Sequence, residues 1–150
     1  MRDRILVDTN VLVYAYDRSE APKQQRAVEV LDLLIASGKG VISTQVLSEF
    51  FNAVTRKIRM PLTIEDAMAS VENHTRAWRV LDVTTFIILE AIRGVRDHQL
   101  AFWDAQIWAT ARLNQVPVVL SEDFASGRTL DGVLFVNPFA DSFEPAAWAT

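Results

Sequence analysis

Arg4-Ile5-Leu6-Val7-Asp8-Thr9-Asn10 is the stretch on which the reading of this chain turns. Ile5, Leu6 and Val7 follow one another with no polar alternation, the pattern of a strand buried on both faces. Such strands belong to parallel sheets covered by helices, because parallel neighbours need crossover connections. The run then breaks on a carboxylate. Asp8, Thr9 and Asn10 place polar groups at the expected carboxyl end of the strand, the side on which open parallel sheets bind ligands.

Outward from this strand, two periodicities alternate. Pro22 opens a segment to Gly38 with Val30, Leu31 and Leu34 at helical spacing. Gly40-Val41-Ile42-Ser43 is a second strand. Val46, Leu47, Phe50, Phe51 and Val54 then form a helical stripe that leaves Gln45, Glu49, Asn52 and Arg56 off it, and Pro61 ends that element. Thr63-Ile64-Glu65-Asp66 resembles a capping box for a helix reaching about His74. Val80 to Val83 is a third strand. Thr84 or Thr85 caps a helix to about Arg93 that Gly94 closes, and a further helix runs from about Asp104 to Asn114. Pro117 to Leu120 and Gly132 to Val136 are the last strands, stopped by Asn137-Pro138. The expected fold is a three-layer α/β/α sandwich around a mostly parallel sheet, in one domain spanning residues 1–150.

Composition narrows the chemistry. At 50% hydrophobic residues the chain has the material for a core, and the absence of cysteine excludes disulfides, thiolate zinc sites and cysteine nucleophiles. A formal charge of −4 argues against a broad basic face, so any nucleic acid would be held by local Arg and Lys groups and by bound metal. The apolar run before Asp8 is too short for a secretory signal, and no stretch is long enough to span a membrane, so a cytoplasmic protein is expected. His74 and His98 lack a second histidine at ligand spacing. Neither a Gly-x-Ser-x-Gly elbow nor a Gly-x-x-x-x-Gly-Lys phosphate loop occurs.

Four carboxylates are candidates for a shared site: Asp8 after the first strand, Glu49 one turn into a helix, Asp104 alone in the apolar stretch Ala101 to Ala109, and Asp123 after the strand ending at Leu120. Each has a plainer reading. Asp8, Asp104 and Asp123 suit helix or turn caps, and Glu49 suits a solvated helix face. Taken together at one sheet edge they point to a hard divalent cation, because uncompensated carboxylates repel one another.

The strings Ile5-Leu6-Val7-Asp8-Thr9-Asn10-Val11-Leu12, Ser43-Thr44-Gln45-Val46-Leu47-Ser48-Glu49-Phe50, Phe102-Trp103-Asp104-Ala105-Gln106-Ile107 and Leu120-Ser121-Glu122-Asp123-Phe124, in this order, resemble the PIN-domain motif set, in particular the VapC-type toxin ribonucleases. The resemblance implies that Asp8, Glu49, Asp104 and Asp123 coordinate one or two Mg²⁺ or Mn²⁺ ions and cleave single-stranded or loop RNA by water attack. It makes Asn10 and Ser121 supporting residues. Glu122 is an alternative or helper for Asp123. It further implies a homodimer and a small VapB-type antitoxin that inserts a segment near the site, with Phe50, Phe51 and Trp103 as groove candidates beside the reading that they are core. Arg56, Lys57 and Arg59 are the densest basic patch and candidate phosphate contacts, or else a solvated helix end.

Two rivals compete. An aspartyl-phosphate enzyme or receiver-like domain would use Asp8 as nucleophile, but no lysine follows either late strand and Asn10 stands where dehalogenase-like enzymes carry a second Asp. A non-catalytic RNA- or protein-binding module on the same fold is the other, against which the intact acidic set argues.

Overall fold

The computed structural model describes residues 4–148. Its elements in order are β1 (Ile5–Val7), α1 (Thr9–Tyr14), α2 (Ala21–Ser37), β2 (Gly40–Ser43), α3 (Thr44–Arg56), α4 (Ile64–Ala77), β3 (Arg79–Leu81), α5 (Thr85–His98), α6 (Phe102–Leu113), β4 (Val118–Leu120), β5 (Thr129–Leu130) and β6 (Val133–Val136), followed by a 3-10 turn at Pro145–Trp148.

The sheet order is β3-β2-β1-β4-β6-β5. All pairings are parallel except β5 with β6. The apolar runs are central strands, as their unalternating pattern requires: every residue of β1 and β2 is buried. Val7 registers with Leu120, and Leu120 with Val136, so the ends of β1, β4 and β6 lie level. This is the α/β fold with a mostly parallel sheet that the sequence led us to expect.

Helix α6 fills the core. Residues Ala105 to Ala111 are all buried, and Trp108 is fully enclosed. Trp108 also explains a departure from expectation. Gly94 does not close α5; the helix runs through it to His98 and ends at Gln99, which takes the left-handed conformation with φ 55°. A Cβ on Gly94 would lie 2.7 Å from Trp108 Cζ3, so the glycine admits the indole between α5 and α6.

Other departures are local. Helix α1 was anticipated only as a turn or helix that Asp8 would cap, since its six residues are too few to display a period. Strand β3 ends at Leu81 rather than Val83, whose N–H is bonded instead to Thr44 Oγ1 at 3.1 Å. Strand β5 was also missed; its turn, Asp131-Gly132, has φ 46° and 86°, the left-handed pair of a tight hairpin. Among the described residues, no helix is long and apolar enough to cross a membrane.

Candidate active site

Strands β1 and β4 are neighbours, yet β1 leads to β2 on one side and β4 to β6 on the other. This divergence leaves a crevice at the carboxyl ends, where ligands bind in open α/β sheets. Asp8 and Ser121 are the first residues past β1 and β4, and they meet there. Ser121 Oγ donates to Asp8 Oδ2 at 2.7 Å, and Thr9 N–H donates to Asp8 Oδ1 at 2.7 Å. Asp8 is thus also the N-cap of α1, as the plainer reading had it. Capping does not account for its burial: Asp8 is 4% exposed, and desolvation pushes its carboxyl up to about 7 against the pull of these two hydrogen bonds, with the charges of Asp123 and Glu49 adding to the rise.

Asn10, the second residue of α1, ties the two late residues to the first. Its amide donates to Asp123 Oδ2 at 3.1 Å and to Ser121 Oγ at 3.3 Å, while its carbonyl oxygen accepts from Glu122 N–H at 3.2 Å. Ser121 Oγ accepts in addition from Asp123 N–H at 3.0 Å. The serine is fully buried and holds Asp8 and the Asp123 loop at once.

Glu49 comes from α3, whose N-cap Ser43 bonds Val46 N–H at 3.2 Å. Thr9 Oγ1 donates to Glu49 Oε1 at 2.6 Å, and Gln45, one turn earlier, donates to Glu49 Oε2 at 3.3 Å. The same Gln45 amide donates to Trp103 O at 3.0 Å, and its own carbonyl accepts from Gln106 at 2.9 Å. Gln45 and Gln106 are buried, so the pair is a satisfied polar bridge that fastens Glu49 to the start of α6. Sequence reasoning missed Thr9, Gln45 and Gln106 as site residues. The available signal was two glutamines at Gln45 and Gln106 amid apolar runs, each close to a candidate acid.

Asp104 lies in the first turn of α6, whose N-cap is Ala101 without a side-chain cap bond, so Asp104 is not a cap. It is half-buried and hydrogen-bonded to no described residue. Burial raises its pKa, with Asp123 and Glu49 contributing repulsion. The four acids therefore share one field: Glu49 and Asp123 act on both Asp8 and Asp104. Among the described residues, no three acidic or histidine groups converge into a finished metal cage. Nor does any described salt bridge reach these four.

Glu122 points elsewhere. It pairs with Lys23 at 2.5 Å and accepts from Tyr14 OH at 2.7 Å, an arrangement that raises the Lys23 pKa. Its charge is balanced, whereas among the described residues Asp123 has no ion pair and its carboxylate accepts only from Asn10.

Two clefts flank Glu49. A cavity of about 680 Å³ is lined by Thr9, Asn10, Asp123, Lys57 and Arg59 among others, and one of about 550 Å³ by Thr44, Ser48, Trp103 and Gln106. Glu49, Asn52 and Lys57 border both. Of the basic patch, Lys57 and Arg59 face the first cleft, whereas Arg56 lies outside both linings. Phe50 is core, packed edge-on against Tyr16 and His74, while Phe51 and Trp103 are exposed.

Residues 5–127 match the sequence profile described as PIN domain. The chain belongs to the PIN-domain family. Solved structures with this fold include the DNA-bound VapBC of Salmonella typhimurium, at TM-score 0.64 and 18% identity over 90% of this chain and 98% of that one. FitAB bound to the IR36 DNA fragment aligns at TM-score 0.68 and 21% identity over 91% and 96%. A Mycobacterium tuberculosis VapC described as a sarcin–ricin-loop-cleaving toxin aligns at TM-score 0.63 and 20% identity over 85% and 97%. At such identities the likeness is one of fold. No curated protein matches the chain.

Proposed function

We propose that this PIN-domain protein is a metal-dependent endoribonuclease that acts as the toxin of a VapBC-type pair. The observation that carries the proposal is the coupled set of Asp8, Glu49, Asp104 and Asp123, which is uncompensated by any described cation and buried enough to raise two of its members. Only oxygen donors are present, the donor set of Mg²⁺ or Mn²⁺ rather than of zinc. The spread of the acids suits an ion that keeps several of its own waters. Asp8 and Asp104 would hold it from the strand end and the α6 terminus, with Glu49 and Asp123 closing the set directly or through water. When bound, one or two such ions supply an activated water and charge neutralisation at the scissile phosphate.

The protein's share of the work is positioning. Ser121 and Thr9 fix the Asp8 carboxylate in one orientation, and each carboxylate oxygen keeps a lone pair for a further partner. Thr9 and Gln45 do the same for Glu49, and Asn10 for Asp123. Lys57 and Arg59 stand beside the cleft as phosphate contacts that give affinity without reading sequence. An aspartyl-phosphate mechanism would need a lysine facing Asp8; the groups that contact it are Thr9 N–H and Ser121 Oγ.

VapBC and FitAB relatives support a small antitoxin partner for this chain. A homodimer is supported by the outer face of α5, where Phe86, Leu89 and Ile92 are 76%, 59% and 52% exposed. Incubation with single-stranded RNA and Mg²⁺ or Mn²⁺ tests the nuclease: cleavage should vanish with EDTA and in Asp8→Asn, and persistence in either would refute it. Growth arrest on expression, relieved by the adjacent reading frame, tests the toxin role; harmless expression would refute that role alone.

A further inference from the structure

Trp103 is more exposed than Trp78 and Trp108, which are buried, and than Trp148, which is partly buried and stacked on Phe143. Trp78 and Trp108 are 5% and 0% exposed, whereas Trp103 is 63% exposed on the residue adjoining Asp104. Its backbone is fastened and its ring has one aromatic neighbour. Its carbonyl accepts from Gln45 at 3.0 Å, and its ring packs edge-on against Phe102 with centroids 5.0 Å apart. Exposing an indole leaves a large apolar surface in water, so an exposed indole at the mouth of a site is an available contact surface.

The cleft it walls combines apolar surface, Val83 included, with the polar groups of Thr44, Ser48, Asn52 and Lys57. Thr44 Oγ1 accepts Val83 N–H and keeps its own proton to donate, and the Asn52 and Lys57 side chains are bonded to no described residue. An apolar peptide side chain seated there would meet the apolar surface but use none of these donors and acceptors. A nucleobase uses all of them: its face meets the indole, its edge meets the hydroxyl and amide groups, and Lys57 reaches the backbone phosphate. The 550 Å³ cavity falls within the roughly 300–1,000 Å³ of small-ligand sites. Because Glu49, Asn52 and Lys57 also border the first cleft, the two clefts meet at Glu49, as the sites of two successive nucleotides would.

From this juxtaposition we infer that Trp103 is a stacking platform, and the cleft beneath it a subsite, for a nucleobase of the single-stranded RNA next to the cleaved bond. The inference rests on the nuclease reading above. The test measures binding of a fluorescent single-stranded RNA by anisotropy, in the Asp8→Asn background with Mg²⁺, alongside the same probe made abasic. Trp103→Ala should weaken binding of the base-bearing probe by about 5- to 100-fold, the effect of losing one stacked base. Trp103→Phe should stay within about threefold, since it keeps a π face, and the abasic probe should bind both variants alike.

Unchanged RNA affinity in Trp103→Ala, or an equal loss for the abasic probe, overturns the inference. So does unchanged RNA affinity combined with loss of a co-expressed protein partner, which would make the indole a protein-docking residue. The same probe incubated with the unmutated protein reports cleavage separately. Stacking without cleavage would sink the nuclease reading and leave the subsite; cleavage without stacking would do the reverse.

Discussion

Ser121 Oγ donates to Asp8 Oδ2 at 2.7 Å across 113 positions of sequence, joining the ends of two neighbouring strands at the point where the chain diverges. The hydroxyl also accepts from Asp123 N–H, so one buried atom sets two of the proposed ligands. Ser121→Ala should lower cleavage by about 10- to 100-fold, the usual effect of removing a group that orients a metal ligand. Single-turnover rates at saturating RNA would show it, and a rate within twofold of the parent would assign the serine a packing role only.

Asp8 is a liability to the metal-free fold. Its pKa of about 7 lies above the ordinary 3.8, so the native state takes up the proton before the unfolded state does as pH falls. The stabilising contribution is complete below about pH 4 and is lost as pH rises through about 7. In EDTA at pH 8, Asp8→Asn should therefore be more stable than the parent by about 2–4 kcal/mol, or on the order of 5–10 °C in Tm, and the gap should close near pH 4. Melting curves across that range decide it. A parent that melts higher than the variant at pH 8 would contradict the desolvation argument.

Asp123 and Glu122 should separate cleanly. Glu122→Gln breaks an ion pair with Lys23 whose side chains are 38% and 27% exposed, so it should cost under about 1 kcal/mol of stability and leave cleavage within about threefold. Asp123→Asn should lower cleavage at least about tenfold by weakening ion binding. Parallel rate measurements on both variants suffice, and the opposite ranking would make Glu122 the fourth acid.

Much of this was legible beforehand, and the reasons differ by residue. Val7 and Leu120 announced buried parallel strands because such strands need unbroken apolar runs, and the acids at their ends followed from that. Asp8, Thr9 and Asn10 were visible as a polar break, but the Thr9 to Glu49 bond depends on how α1 packs on α3, which no spacing along the chain encodes. Gly94 misled for a related reason. A glycine late in a helical pattern reads as a stop, whereas its role here is to admit Trp108 from a different helix. Glu122 and Asp123 were indistinguishable because adjacent residues in a loop have no periodicity, and Lys23, which separates them, is 99 positions away.

The Gln45–Gln106 bridge is the most testable of the features that were not anticipated. Gln45→Leu removes the amide that holds Glu49 and the Trp103 carbonyl, and it leaves the Gln106 amide without its partner. Stability should fall by about 1–3 kcal/mol, and the double change Gln45→Leu with Gln106→Leu should recover part of that loss without restoring cleavage. Double-mutant melting and rate data test this. Full recovery of cleavage in the double variant would show that Glu49 needs no such fastening.

The central claim is that Asp8, Glu49, Asp104 and Asp123 hold a divalent ion, and Mn²⁺ titration followed by electron paramagnetic resonance reads it most directly. The parent should bind one or two Mn²⁺ ions, with affinity at least about tenfold weaker in both Asp8→Asn and Asp104→Asn. Undiminished Mn²⁺ binding in those two variants, or none in the parent, would contradict the account.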